Sequence, residues 1–176
     1  DGNCVGEDFL LNVQIDPKPS LDDVNLAAIC SGDTFNLTPT NNGGANGTDI
    51  IPANTTYTWT VVDANGFVTG DSDDTTGQTS ISQTLTNTSN VPQTLVYTVT
   101  PTSGDQGTCE GAAFTLTVVV NPEPVIPTQT AEICSDGTFI ITPANNPPTT
   151  IVPANTTYTW TVVDNTDVTG ESSETT

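Results

Sequence analysis

Four cysteines and a set of clustered carboxylates are the side chains in this sequence whose chemistry could be put to use. Cys4, Cys30, Cys109 and Cys134 never stand in a CxxC arrangement, and the chain has no histidine. That argues against zinc, whose sites need closely spaced thiolate or imidazole ligands. The thiols read instead as disulfide formers of an oxidising compartment. The carboxylates gather in the run Gly70-Asp71-Ser72-Asp73-Asp74. Clustered hard oxygens are what Ca²⁺ takes, with about six to eight donors. Asp71, Asp73 and Asp74 are therefore candidate Ca²⁺ ligands, with a solvated acidic loop as the alternative, because the spacing and glycine of an EF-hand loop are missing. Asp22, Asp23, Asp49, Asp63 and Asp105 are further carboxylates that could meet at a domain junction.

Catalysis finds little support. There is no histidine for general-base work, no arginine and no glycine-rich phosphate loop, and the cysteines suit oxidation better than nucleophilic attack. Paired carboxylates can hydrolyse glycosides, but an acidic loop on a repeated unit lacks the cleft such chemistry needs. The sequence reads as non-enzymatic and requires no cofactor, with Ca²⁺ the one ion it could accommodate. Asn36, Asn46, Asn54, Asn87 and Asn155 each open an Asn-x-Ser/Thr sequon, a pattern expected by chance where Asn and Thr are so frequent.

These groups are positioned by a repeated unit. ICSGDTFNLTP from Ile29 returns as ICSDGTFIITP from Ile133, and IPANTTYTWTVVD from Ile51 returns as VPANTTYTWTVVD from Val152. CVGEDFLLNVQIDPKP from Cys4 returns as CEGAAFTLTVVVNPEP from Cys109, a shift of 105. Solenoid units run to roughly 20–50 residues, so a period near 100 suits a whole domain copied in tandem. Residues 1–19 read as the C-terminal strand of a preceding repeat, 20–122 as one complete repeat and 123–176 as the N-terminal half of the following one. Pro17 and Pro19, then Pro122 and Pro124, bound the units with short, stiff Pro-x-Pro joints.

The charge balance narrows the partners. Twenty-one acidic residues face a single base, Lys18, for a net charge of −20. Phosphate backbones and anionic membrane surfaces both require Lys and Arg, so neither nucleic acid nor membrane insertion is expected of this stretch. Self-repulsion keeps such chains soluble. High acidity can also signal disorder, but here the apolar residues are periodic.

That period is two. Tyr57, Trp59 and Val61 alternate with Thr56, Thr58 and Thr60; Leu95, Tyr97 and Val99 lie among Thr94, Thr98 and Thr100; Phe114, Leu116, Val118 and Val120 alternate with Thr115 and Thr117. Such runs give strands with one apolar and one hydroxyl face. About seven of them, separated by Asn/Gly/Ser turns, argue for an all-β immunoglobulin-like sandwich. The strands are expected at A 24–30, B 33–39, C 55–63, an irregular C′/D region 67–76, E 79–87, F 93–101 and G 109–121, with Trp59 in the core.

At ICSGDTFNLTP, TTYTWTVVD, LVYTVTP and the Cys-led last strand ending in Asn-Pro, the chain resembles the PKD-like repeats. These are immunoglobulin-like domains of giant surface proteins in bacteria with type IX secretion. The resemblance implies a secreted, tandemly repeated stalk or adhesin at the cell surface, with no catalytic residues to carry over. It also makes Asp74-Thr75-Thr76 similar to the O-glycosylation signal of that bacterial group, with Thr75 as the acceptor.

The cysteines fall one ahead of strand B (Cys30, Cys134) and one at the start of strand G (Cys4, Cys109). Strand B starts at the downstream end of the sandwich and strand G at the upstream end, which favours disulfides to neighbouring repeats. An intradomain Cys30–Cys109 bond, and free or intermolecular thiols, stay open as alternatives. The expected function is a structural repeat of an extracellular adhesin, stalk or filament. Its partners are neighbouring repeats of the same polypeptide, other copies in a fibre, and a surface or glycan ligand. The alternative is a carbohydrate-binding or spacer module of a secreted polysaccharide-degrading enzyme, which would present exposed aromatics.

Overall fold

The computed structural model describes the chain apart from residues 1, 3, 5, 105, 106 and 176. No helix occurs among the described residues, and all ten strands lie between Val24 and Asn121. They are β1 (Val24–Asn25), β2 (Ile29–Cys30), β3 (Thr34–Leu37), β4 (Thr56–Asp63), β5 (Val68–Thr69), β6 (Asp74–Gln78), β7 (Ile81–Thr84), β8 (Thr86–Asn87), β9 (Gln93–Thr102) and β10 (Phe114–Asn121). One sheet runs β1-β10-β9-β4-β6, with β2 also on β10; β3 pairs with β7, and β5 with β8. The result is an all-β sandwich of the immunoglobulin-like kind.

The alternating runs build it as their pattern demands. Tyr57 and Trp59 of β4, Leu95, Tyr97 and Val99 of β9, and Phe114, Leu116, Val118 and Val120 of β10 are all buried. They meet Phe35 of β3, Ile81 of β7 and Leu85 from the opposite layer in one hydrophobic core. The Phe35 and Tyr97 rings join the layers edge to face, centroids 5.4 Å apart at 64°, an arrangement the ring quadrupoles favour. The Tyr97 hydroxyl donates to Gln83 Oε1 at 2.7 Å, so its polar tip is satisfied although the ring is enclosed.

Four regions differ from their expected form. Strand E, expected at 79–87, divides at Leu85 into β7 and β8, which belong to different sheets. Strand A is two short pieces, β1 and β2, both parallel to β10. Strand G starts at Phe114, not at 109. The break falls at Gly111, where a Cβ would stand 2.5 Å from the Pro19 carbonyl oxygen and 2.8 Å from the Pro101 ring. Pairing resumes beyond it as an isolated bridge, Thr102 to Glu110. The irregular C′/D stretch resolves into β5 and β6, which belong to different sheets.

The flanking segments repeat the sequence with little of the burial; among their described residues only Pro19 and Ile151 are buried. Phe9, Leu11, Val13 and Ile15 are 72–88% exposed, although their counterparts Phe114, Leu116, Val118 and Val120 form the core of β10. Residues 123–176 keep local contacts of the complete copy: Val125 bridges Ile151 as Ser20 bridges Ile50, and Trp160 bridges Glu174 as Trp59 pairs with Asp74. Yet Phe139, Tyr158 and Trp160 are exposed while Phe35, Tyr57 and Trp59 are buried. Fully burying such a side chain contributes about 1.5–3 kcal/mol, and neither flank gains it by docking on the 20–122 core. That core is self-contained.

Candidate functional site: the two poles of the repeat

Cys30 sits at the downstream pole. β2 places it beside Asn121, the last residue of β10. The Ser31 amide donates to the Asn121 carbonyl at 2.9 Å, and Gly32 N to Leu85 O at 2.8 Å. Gly32, at φ 88°, makes the turn that returns the chain into β3. The Cys30 amide donates to Asp33 Oδ2 at 3.1 Å, leaving an exposed thiol on a fixed backbone.

Beneath it lies a polar cluster that sequence reasoning missed. Asn87 is 1% exposed. Its Nδ2 donates to the carbonyls of Val91 and Val120 at 2.8 and 2.9 Å. Its Oδ1 accepts from Ser89 N and Oγ at 2.9 and 2.8 Å. The Asn87 amide donates to Ser31 Oγ at 3.0 Å, which ties this cluster to the Cys30 turn. Enclosure also removes Asn87 as a glycan acceptor; the sequon asparagines 36, 46, 54 and 155 are exposed. The run TNTSN gave no sign of burial, because Asn and Ser in such density read as a turn.

Cys109 sits at the opposite pole, half-buried. Its amide donates to Ser103 Oγ at 3.0 Å, and its carbonyl accepts from Ser103 N at 3.0 Å. Gly111 N donates to Pro101 O at 2.8 Å, and Pro19 is fully buried against this corner. β10 alone separates the poles by about 23 Å at ~3.3 Å per residue. A disulfide needs Cα atoms within about 7 Å, so this fold does not permit Cys30–Cys109. Cys4 and Cys134 are exposed in the flanks.

The acidic run does not converge. Asp73 Oδ1 accepts from Val61 N at 2.8 Å. Asp74 Oδ1 accepts from Thr76 Oγ1 at 2.6 Å and Thr76 N at 2.8 Å, bonds that hold its carboxyl below the usual range. Asp71 acts on Tyr97, whose phenol is pushed far up, by burial first and the Asp71 charge second. No three acidic or cysteine side chains gather as a cation would require, among the described residues. The other carboxylates serve their own loops. Asp22 Oδ2 accepts from Asn46 Nδ2 at 3.0 Å, and Asp23 Oδ1 from Thr115 N at 2.7 Å, which lowers the Asp23 pKa. Asp63 accepts from Asn65 N and Val68 N at 3.2 and 2.9 Å. Asp49 Oδ1 accepts from Asp22 N at 2.9 Å; burial, then the Asp49 charge, pushes the Tyr57 phenol up to about 12. Asp22 and Asp49 are thus neighbours, Asp63 stands at the far pole, and Asp105 lies outside the described residues.

Thr75 is exposed on β6, the edge strand of the large sheet. An open groove beside it is lined by Trp59, Ser72, Asp74, Gln78 and Gln83. There the Trp59 Nε1–H donates to the Ser72 carbonyl at 2.9 Å, so the indole serves packing.

Residues 27–124 match the PKD-like domain, a span that holds β2 to β10 and both polar corners. The chain belongs to the PKD-like family. No curated protein and no solved structure matches it. In a PKD-like repeat so arranged, the groups with reactive potential are the two thiols, one at each pole.

Proposed function

We propose that this chain is part of an extracellular, cell-surface adhesin, stalk or filament made of tandem PKD-like repeats, and that it works without catalysis. One observation carries the reading: a self-contained core in 20–122, flanked on both sides by segments that repeat its sequence but keep the counterparts of its core strand residues exposed. Each repeat then folds on its own strands and passes the chain from one pole to the other through a Pro-x-Pro joint. Neighbouring repeats of the same polypeptide are the first partners, with lateral contacts to other copies in a fibre. The chain's role is to hold a ligand-binding region away from the envelope.

Glycan binding by the repeat itself is not favoured. Of the aromatic side chains between residues 20 and 122, only Phe67 is exposed; Phe35, Tyr57, Trp59, Tyr97 and Phe114 are core. Small-angle scattering tests the stalk reading on chains carrying one, two and four repeats. The maximum dimension should grow in proportion to repeat number, and a radius of gyration following compact-globule scaling would refute it. Antibody labelling of intact cells tests the surface location.

A further inference from the structure

We propose that successive repeats are joined by a disulfide between the β2 cysteine of one copy, represented by Cys30, and the cysteine ahead of β10 in the next copy, represented by Cys109. The inference rests on the tandem reading above and adds a covalent device to it.

Two contacts, superimposed through the repeat, place these thiols together. Within the complete copy, Cys30 is the strand neighbour of Asn121. The sequence repeat that sets Cys4 against Cys109 sets Asp16 against Asn121. Asp16 therefore marks where a preceding copy ends, with that copy's own β2 cysteine one strand spacing away, about 4.8 Å. Asp16 lies on the Cys109 loop. A Cβ built on Gly107 would be 2.7 Å from Asp16 Oδ2 and 3.6 Å from Cys109 Sγ. The position beside which one copy holds its β2 thiol is thus the position against which the next copy holds its Cys109 thiol.

The joint makes this relation reproducible. Pro19 is fully buried, its carbonyl pressed on Gly111, so only Pro17 and Lys18 remain between Asp16 and the anchored residue. With proline fixing φ on both sides of Lys18, the joint has little freedom to swing the two poles apart. Both thiols are accessible, Cys30 exposed and Cys109 partly so. The reaction is an exchange: two thiols give one S–S bond and two protons, and their two electrons reduce the disulfide of a thiol–disulfide oxidant such as oxidised glutathione.

The test uses the chain with residues 20–124 duplicated in tandem, oxidised in a glutathione redox buffer. It is digested unreduced with a protease that cuts at acidic residues, since Lys18 is the only basic site, and mapped by mass spectrometry. The expected product links Cys30 of the first copy to Cys109 of the second. Cys30→Ser in the first copy should abolish that link, and the same change in the second copy should leave it intact. A Cys30–Cys109 bond within one copy, or thiols that stay free in a duplicated chain whose scattering shows two extended units, overturns the proposal and leaves the tandem reading standing. A compact globule in scattering overturns the tandem reading itself.

Discussion

Replacing Asn87 by alanine should be among the most damaging single changes in the repeat. The side chain makes four hydrogen bonds, two donated to backbone carbonyls and two accepted from Ser89. Each is worth about 0.5–1.5 kcal/mol net, and alanine cannot replace any of them. The expected loss is therefore about 2–6 kcal/mol, against a total stability of about 5–15 kcal/mol for a domain. For a unit of this size each kcal/mol moves Tm by about 4–8 °C, so Asn87→Ala should melt at least ~8 °C lower. Asn87→Asp separates shape from chemistry. It keeps the volume but turns a carboxylate oxygen toward the Val91 and Val120 carbonyls, and should be no better than alanine. Asn36→Ala, on an exposed strand position, should shift stability by less than about 0.5 kcal/mol. Thermal melts by circular dichroism and urea titrations with a constant m-value make the comparison. An Asn87→Ala protein within ~2 °C of the parent would refute the assignment of this cluster as the clamp of the downstream pole.

Gly70, at φ 92°, would drive a Cβ into the Thr84 carbonyl oxygen, whereas Gly66, at φ 68°, has open space. Gly70→Ala should cost about 3 kcal/mol and Gly66→Ala about 1 kcal/mol, a contrast that urea midpoints will resolve. Asp23 has its carboxyl lowered by the Thr115 amide and hydroxyl. Its contribution is therefore present above the ordinary carboxylate range and lost as pH falls through the folded value. Asp23→Asn should flatten the acid limb of a stability–pH curve below about pH 4. Because Asp71, Asp73 and Asp74 do not converge, EDTA and millimolar Ca²⁺ should both leave Tm unchanged; a Ca²⁺-dependent rise would show that the loop rearranges into a site.

The parts of the fold written as alternation were legible before any coordinates. Tyr57-Thr58-Trp59 and Leu95 to Val99 declare their buried face at every second residue, and the sandwich pairs them as that pattern requires. Strand A was visible only as a region, because β1 and β2 are two-residue pieces whose pairing is parallel and non-local. The Gly111 break was invisible for a similar reason: its cause is the approach of Pro19, far away in sequence, and of the Pro101 ring from the neighbouring β9. Asn87 shows the limit most clearly. Its burial follows from where β10 ends over the β8 turn, and local composition argued the opposite. For the acidic run, residue types could not tell a cation site from carboxylates engaged with Val61 and Thr76. Placing the two cysteines at opposite poles needed only strand order, which is why that feature could be read from the sequence.

The parallel pairing of β1 and β2 with β10 fixes how the repeat meets traction. The first and last strands run side by side in the same direction, so tension applied at Pro19 and Pro122 acts along the ladder between them. The contacts from Val24–Leu116 to Cys30–Asn121 are then loaded in shear and must yield together, whereas a hairpin pulled from its open end unzips one bond at a time. Although only four residue pairs long, this seam would have to shear before a pull on the two ends could open the Trp59 core.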